Sequence, residues 1–186
     1  PSSAASDVYK RQEQLRVQPD SLAIHDLTDS RAFTWRQFNN RVDALAQGLC
    51  DEGIKMGDRI AYLGLNSSDV VEIFFATVRI GAVYAPLNFR LTPLELSFII
   101  DDCSPSGLFY DQSFQSVVDE IDSTVIPNLM IASALDGTDS AYEDLVSGSS
   151  TAVAPAAAIA DTLSMIMYSS GTTGKPKGIK RPLSGA

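Results

Sequence analysis

The sequence has few of the residues that form metal centres and nucleophilic triads. It contains one histidine, two cysteines and one tryptophan among 186 residues. Cys50 and Cys103 lie in apolar surroundings without the short spacing of metal ligands, so we expect reduced core residues. His25 falls in a predicted strand, with no serine or cysteine motif for it to serve, which favours a structural or solvated role. The sequence therefore predicts no metal ligands and no catalytic triad.

Positive charge and long hydrophobic runs are also scarce. The chain has 14 Lys and Arg residues against 23 Asp and Glu residues, a net charge of −9. A nucleic-acid binder needs clustered Lys and Arg to neutralise phosphates, so this class is not expected. No segment reaches the length of a membrane span, and no signal peptide precedes the first predicted helix. We therefore expect a cytoplasmic protein without an integral membrane segment.

Predicted helices and strands alternate along nearly the whole chain. Such alternation indicates an α/β fold, with a mainly parallel sheet layered with helices. Strands are predicted at Ser21–Leu27, Ala32–Thr34, Arg59–Leu65, Ala82–Ala85, Leu108–Tyr110, Leu129–Ala132 and Thr162–Tyr168. Helices are predicted at Asp7–Val17, between Thr34 and Gly53, at Ser68–Ile80, from Thr92 onward, and at Phe114–Ile121. The uncharged stretch Ser147–Ala160 is interpreted as a surface linker.

Local signals mark several of these helices. Thr34 is a helix cap, and Gly53 ends the amphipathic helix that follows it. Thr92-Pro93-Leu94-Glu95 has the spacing of a capping box with proline in the first turn. Ser68–Ile80 is apolar on much of its circumference, so we expect it to be buried between layers. Asp101 and Asp102 end a helix and are interpreted as solvated acids.

The last predicted strand runs into a segment with the composition of a phosphate-binding loop. The segment Ser169-Ser-Gly-Thr-Thr-Gly-Lys-Pro-Lys-Gly178 combines glycines, four hydroxyl side chains and two lysines. Glycines allow close backbone approach, and hydroxyl, N–H and ammonium groups suit phosphate oxygens. Composition alone leaves a mobile polar loop as the alternative.

The segment is not the P-loop of nucleoside triphosphatases. That motif needs Ser or Thr directly after Gly-Lys, where this chain has Pro176. It also needs a glycine five positions before Gly174, where this chain has Ser169. A G-protein or kinase-type nucleotide site is therefore not expected.

Tyr168-Ser-Ser-Gly-Thr-Thr-Gly-Lys-Pro-Lys-Gly178 closely resembles the phosphate-loop signature of the adenylate-forming superfamily. This superfamily includes acyl-CoA synthetases, luciferases and peptide-synthetase adenylation domains. Two further segments resemble it in the same order, Thr34–Ala61 and Asn66–Asn88, so that the resemblance covers roughly residues 21–179. Pro86–Leu91 resembles the acyl- and aryl-CoA synthetase branch, where peptide-synthetase domains usually have Asp-Pro-x-Tyr-Pro.

The resemblance implies an acid–CoA ligase linked to fatty acid metabolism. Such an enzyme activates a fatty or aromatic carboxylic acid with ATP and Mg²⁺ as acyl-AMP and transfers the acyl group to CoA. Two alternatives stay open: an adenylation enzyme that loads a carrier protein, and a stand-alone phosphate-binding or interaction module. A homodimer is also left open. The residues that the resemblance assigns to ATP binding are Ser169, Ser170, Gly171, Thr172, Thr173 and Lys177.

The resemblance also implies that the chain is the incomplete N-terminal part of the superfamily's large domain. Residues 1–55 are expected to pack with a sheet completed by missing sequence. Residues 58–186 are expected to form most of a second sheet, which ends in the phosphate loop 168–178. The catalytic lysine, the metal ligands and the acyl pocket then lie beyond residue 186, in the remainder of the same protein, and the chain alone is expected to be inactive. After Ile179 many relatives open a helix, and Pro182 is compatible with a first helical turn.

Overall fold

The computed structural model describes residues 13–28, 30–134, 140–147, 163–169 and 176–182. Its centre is a six-stranded sheet in the order β6-β5-β3-β4-β7-β8. The first five strands in this order are parallel, and only β8 is antiparallel to its neighbour. The strands are β3 (Arg59–Leu63), β4 (Val83–Leu87), β5 (Gly107–Asp111), β6 (Leu129–Ser133), β7 (Leu163–Ser169) and β8 (Lys177–Pro182). The predicted α/β class with a mainly parallel sheet is confirmed.

A small antiparallel sheet and a long helix precede the main sheet. Strands β1 (Leu22–His25) and β2 (Ala32–Thr34) pair with each other. Helix α1 (Trp35–Asp51) follows β2 directly, and its first turn is closed by a capping box. The backbone N–H of Gln37 donates to the Thr34 hydroxyl at 3.2 Å, and the Thr34 N–H donates to the Gln37 side chain at 2.9 Å. The predicted cap is confirmed.

The remaining helices cover both faces of the six-stranded sheet. They are α2 (Ser68–Arg79), α3 (Pro93–Cys103), α4 (Gln115–Asp119, after a 3₁₀ turn at Gln112–Phe114) and α5 (Ala141–Val146). Helices α1, α2 and α5 pack on one face, and α3 and α4 pack on the other. Successive strand residues alternate between the two cores: Ile60 and Tyr62 face the first, and Ala61 and Leu63 face the second. This alternation is the period of a strand buried on both faces.

Helix α2 differs from its sequence-based prediction in what it buries. Asp69 and Glu72 are almost completely buried, whereas Phe74 and Phe75 remain partly exposed. The apolar circumference had predicted only that the helix is buried between layers, without indicating buried acids. The acids are buried because guanidinium groups from neighbouring segments pair with them. A single-helix pattern cannot show such partners.

The segment after Gly178 is a strand, which corrects the expected helical turn at Pro182. Strand β8 pairs with β7 in register from Ser169↔Lys177 to Leu163↔Pro182. Pro182 is the last residue of this strand at the sheet edge, where a proline removes no required ladder donor. The predicted linker from residue 148 onward and the predicted helix before residue 13 lie outside the described residues.

The six-stranded sheet is built from Arg59 onward, while helix α1 packs on one of its faces. That residues 1–55 also pack with a sheet completed by further sequence stays a prediction. Among the described residues, no helix is both long enough and apolar enough to cross a membrane.

Candidate functional site

The hairpin formed by β7 and β8 brings together the two ends of the predicted phosphate loop. Ser169 is the last residue of β7, Lys177 is the first residue of β8, and the two are partners in the strand register. Both side chains are exposed. The other four predicted residues lie outside the described part of the chain; they are Ser170, Gly171, Thr172 and Thr173. The structure thus places the hydroxyl-bearing Ser169 and the ammonium-bearing Lys177 directly opposite each other on neighbouring strands.

This pair lies at the carboxyl edge of the parallel strands. The chain passes from β3 to β4 on one side and then returns to β5 on the other side of β3. Ligands of open α/β sheets bind outside the carboxyl ends of the strands. Because β4 and β7 are parallel, with Tyr84 opposite Met165, Ser169 lies next to the end of β4. The predicted site therefore occupies the edge where such sheets bind ligands.

A tight turn forms the same edge at the end of β3. A Cβ atom on Gly64 would lie 2.6 Å from the Tyr62 hydroxyl oxygen and 2.8 Å from the Asp111 Cβ. The Tyr62 hydroxyl donates to the Leu65 carbonyl at 2.9 Å, and the Asp111 carboxylate accepts from the Ser113 N–H at 2.8 Å. Glycine is therefore required at position 64 because this edge is closely packed. This requirement was not predicted from the sequence.

The N-terminus of α2, at the same edge, is already capped by a carboxylate. Asp26 accepts from the Ser68 N–H at 2.6 Å and from the Thr28 N–H at 2.9 Å. Burial alone would raise the pKa of Asp26, but these backbone donors hold it below its usual range. Helix N-termini attract anions, and here the protein supplies its own. The α2 terminus is therefore not the place where a phosphate would bind.

Tyr168 ties the end of β7 to the end of α3. Its hydroxyl donates to the Asp102 carboxylate at 2.6 Å. Arg59, at the start of β3, donates through Nε to the Cys103 carbonyl at 3.0 Å and through its guanidinium to the Ser104 carbonyl. The interpretation of Asp102 as a solvated acid missed this contact, because its partner is 66 residues away in the sequence.

The chemistry at the hairpin end suits phosphate oxygens. Ser169 offers a hydroxyl group and Lys177 offers an ammonium group, and both can donate to phosphate oxygens. Mg²⁺ prefers oxygen ligands such as carboxylates, and neither of these two residues has a carboxylate. Within the described ranges, no three His, Cys, Asp or Glu side chains are grouped as metal ligands. Both cysteines are free thiols, and His25 lies exposed on β1.

Comparison with known proteins gives matches over most of the chain. The family model described as AMP-binding enzyme matches residues 11–182. The long-chain-fatty-acid–CoA ligase FadD13 of Mycobacterium tuberculosis is 36% identical over 156 residues, covering 84% of this chain and 30% of that protein. The feruloyl-CoA synthase of an Amycolatopsis species is 34% identical over 163 residues, covering 88% of this chain and 30% of that protein. A fatty acid–[acyl-carrier-protein] ligase, ScoC of Streptomyces coeruleorubidus, is 34% identical over 153 residues, covering 82% of this chain and 28% of that protein.

Solved structures agree with the family match. ATP-bound MatB from Rhodopseudomonas palustris superposes with a TM-score of 0.82 at 30% identity, covering 98% of this chain and 35% of that chain. The anthranilate CoA ligase AuaEII in complex with anthranoyl-AMP gives a TM-score of 0.83 at 28% identity, covering 98% of this chain and 34% of that chain. The chain thus spans about a third of the length of the proteins it matches. The region matched includes the β7–β8 hairpin at the carboxyl edge of the sheet, and the chain belongs to the AMP-binding enzyme family.

Proposed function

We propose that the chain is the N-terminal part of an ATP-dependent acid–CoA ligase. The full-length enzyme would activate a fatty or aromatic carboxylic acid as acyl-AMP and then transfer the acyl group to CoA. The observation that carries this proposal is the Ser169↔Lys177 pairing, which closes the ends of the phosphate motif at the carboxyl edge of the sheet. We also propose that the enzyme acts in the cytoplasm, where ATP and CoA are both available.

In the first step the acid's carboxylate attacks the α-phosphorus of ATP, and pyrophosphate leaves. Negative charge then gathers on the leaving group. The Lys177 ammonium, the Ser169 hydroxyl and the loop between them would hold the β- and γ-phosphates and stabilise that charge. Fixed donors aimed at developing charge are an effective means of lowering a barrier. The residues that we propose for this role are Ser169, Ser170, Gly171, Thr172, Thr173 and Lys177.

Mg²⁺ would neutralise part of the triphosphate charge when bound. We propose that its ligands, the catalytic lysine and the acyl pocket come from the remaining two thirds of the full-length protein. The 186-residue chain alone would then hold the phosphates without completing the adenylation.

The test is to remove the Lys177 ammonium from the full-length enzyme. Lys177→Met should slow acid-dependent ATP–pyrophosphate exchange by about 10²-fold, since a lost charge-stabilising contact costs about 2–4 kcal/mol of barrier. Lys180→Met is the matched control, because Lys180 lies on the same exposed strand but pairs with Ile166, away from the loop. Equal exchange rates in the two variants would contradict the phosphate role.

A second candidate is a ligase that loads a carrier protein, which the similarity to ScoC favours. The two functions differ in the thiol that accepts the acyl group. We expect thioester formation with free CoA. If free CoA were inert and a carrier-protein pantetheine reacted, the second candidate would replace the first.

A further inference from the structure

The Tyr168 ring lies across the hairpin, over a position that has no side chain. Gly178 is the register partner of Tyr168. A Cβ atom on Gly178 would lie 3.4 Å from the Tyr168 Cζ and 3.2 Å from the Ile166 Cγ2. An aromatic ring that covers a cross-strand glycine is a known means of stabilising strand pairing. The glycine in the motif thus gives the ring room to lie flat on β8.

The hydroxyl at the end of this ring makes a contact outside the hairpin. It donates to the Asp102 carboxylate in the last turn of α3 at 2.6 Å. Burial raises the pKa of Tyr168 and the hydrogen bond to Asp102 raises it further, so the phenol keeps its proton at neutral pH. The end of α3 is itself fixed to β3, because Arg59 donates to the Cys103 carbonyl. Tyr168 is therefore tied to the centre of the sheet.

The carboxyl end of β7 lies close to the edge of the sheet, where an additional contact can fix its position. The ladder between β4 and β7 is at Tyr84↔Met165, close to the beginning of β7. Beyond Met165, β7 bonds to β8, which is the edge strand of the sheet and is exposed at every residue. β7 also runs beside β4, so the Tyr168 contact adds to the packing that already holds this end of the strand. The Tyr168 contact acts one residue before Ser169, where the loop begins.

We propose that Tyr168 and Asp102 are positioning residues that hold Ser169 and Lys177 in place for the phosphates of ATP. Their hydrogen bond, which we call the latch, fixes the end of β7 against α3, and Gly178 lets the Tyr168 ring reach it. The latch rests on the proposed function, because it acts through the phosphate loop. Because the latch acts through the residues proposed for the ATP phosphates, we expect it to affect ATP rather than the acid or CoA.

The test uses the full-length protein and a double-mutant cycle. Tyr168→Phe keeps the ring over Gly178 and removes the hydroxyl, while Asp102→Ala removes the acceptor. Each should weaken equilibrium binding of Mg-ATP, and raise the KM for ATP in pyrophosphate exchange, by about fivefold, in the range of one ordinary intramolecular hydrogen bond. The KM for the acid should stay unchanged. The double variant should be no worse than Tyr168→Phe alone, because that variant already lacks the hydrogen bond that Asp102→Ala removes.

Two further variants separate positioning from general stability. Asp102→Asn keeps an acceptor oxygen and should restore most of the ATP affinity. Asp101→Ala is the matched control, because it removes the same charge from the adjacent exposed position of α3. Asp102 is exposed, so its variants test the latch even where Tyr168→Phe fails to fold.

Three results would overturn the latch: additive effects in the cycle, an equal loss in Asp101→Ala, or an unchanged ATP affinity in Asp102→Ala. The proposed function fails separately, if the wild-type protein shows no acid-dependent exchange. In that case, the ATP affinities of the variants still decide whether the latch positions the loop. A wild-type protein that binds no ATP would overturn both.

Discussion

Asp69 is a buried acid, and the neighbouring positive charges offset only part of the cost of burying its ionised form. Its carboxylate lies 2.9 Å from the Arg31 guanidinium and is 2% exposed. Burial raises its pKa to about 6; the nearby Arg31 opposes this rise, and Glu72 adds to it. The same buried region holds three carboxylates, on Asp69, Glu72 and Glu143, against the guanidinium groups of Arg31 and Arg41. The ionised form of Asp69 is therefore disfavoured in the folded chain.

The stability of the full-length protein should depend on pH through Asp69. The folded pKa lies above the usual carboxyl pKa of about 3.9, so this contribution is fully present below pH ~4 and is lost as the pH rises through about 6. Asp69→Asn cannot ionise. Its unfolding free energy relative to wild type should therefore rise by roughly 3 kcal/mol between pH 4 and pH 7. Urea unfolding at both pH values measures this, with Glu52→Gln at an exposed position as the control. A difference that is independent of pH would show that folding does not raise the pKa of Asp69.

Gly64 offers a test of packing at the carboxyl edge of the sheet. Gly64→Ala would bring its methyl group within 2.8 Å of the Asp111 Cβ and 2.6 Å of the Tyr62 hydroxyl, which is hydrogen-bonded to the Leu65 carbonyl. We expect a loss of about 1–3 kcal/mol in unfolding free energy, as for other overpacked sites. In the control, Gly48→Ala in α1, the new methyl group meets only the flexible end of Leu145 at 2.8 Å. Alanine also favours the helix by roughly 0.5–1 kcal/mol. Equal losses in the two variants would contradict a special role for Gly64.

At the scale of elements, the short helix α5 is held by buried polar groups. Arg41 of α1 donates to both oxygens of the Glu143 carboxylate, at 2.8 and 2.9 Å, and through Nε to Glu72 at 2.7 Å. The Tyr142 hydroxyl donates to the same Glu72 carboxylate at 2.6 Å. Its ring packs edge-on against Phe109 of β5, with centroids 6.2 Å apart. One arginine therefore connects three helices over one face of the sheet.

Removal of the Arg41 side chain should destabilise the protein strongly. Arg41→Leu would leave Glu72, which is fully buried, without its cation, and breaking a buried pair from one side costs about 3–5 kcal/mol. Arg36→Leu on the same helix is the matched control, since the Arg36–Asp20 pair is exposed and such pairs contribute about 0–1 kcal/mol. Urea unfolding of the full-length variants compares the two. Similar losses would mean that burial does not set the strength of the Arg41 pairs.

Local sequence signals predicted the elements that depend on local interactions. The caps at Thr34 and Thr92 and the stop at Gly53 are confirmed, because the side chains or backbone angles that form them lie within a few residues. Helix α5 was not predicted, since its six residues are held by α1 and α2 rather than by their own pattern. Strand β8 was not predicted, and only Pro182 at its end was considered compatible with a helical turn; pairing with β7 makes the segment a strand.

At the scale of the whole molecule, the sequence motif predicted that the ends of the candidate loop lie close together. It did not predict the long-range contact that holds them. Ser169 and Lys177 adjoin the same loop in the sequence, so their proximity could be expected. The Tyr168–Asp102 contact joins residues 66 positions apart and depends on the strand order β3-β4-β7. The strand order is determined by long-range packing of the complete sheet. It cannot be predicted from the local patterns of a single sequence. All six predicted site residues stay a prediction, and four of them lie outside the described residues.

The isolated 186-residue chain is predicted to self-associate and to adenylate no acid. Within the described residues, β8 has no partner strand on its outer side, and this strand is exposed throughout. Ile179 is 50% exposed and Met167 on the adjacent strand is 41% exposed, so the edge offers free backbone groups and an apolar pair, flanked by the basic residues Lys177 and Lys180. Open apolar edges drive pairing between chains. Light scattering and ATP–pyrophosphate exchange on the purified chain check both parts. The matched variant Ile179→Lys should reduce association, because an edge lysine opposes strand pairing. If the unmodified chain were a monodisperse monomer that melts cooperatively, a stand-alone phosphate-binding module would be the better interpretation.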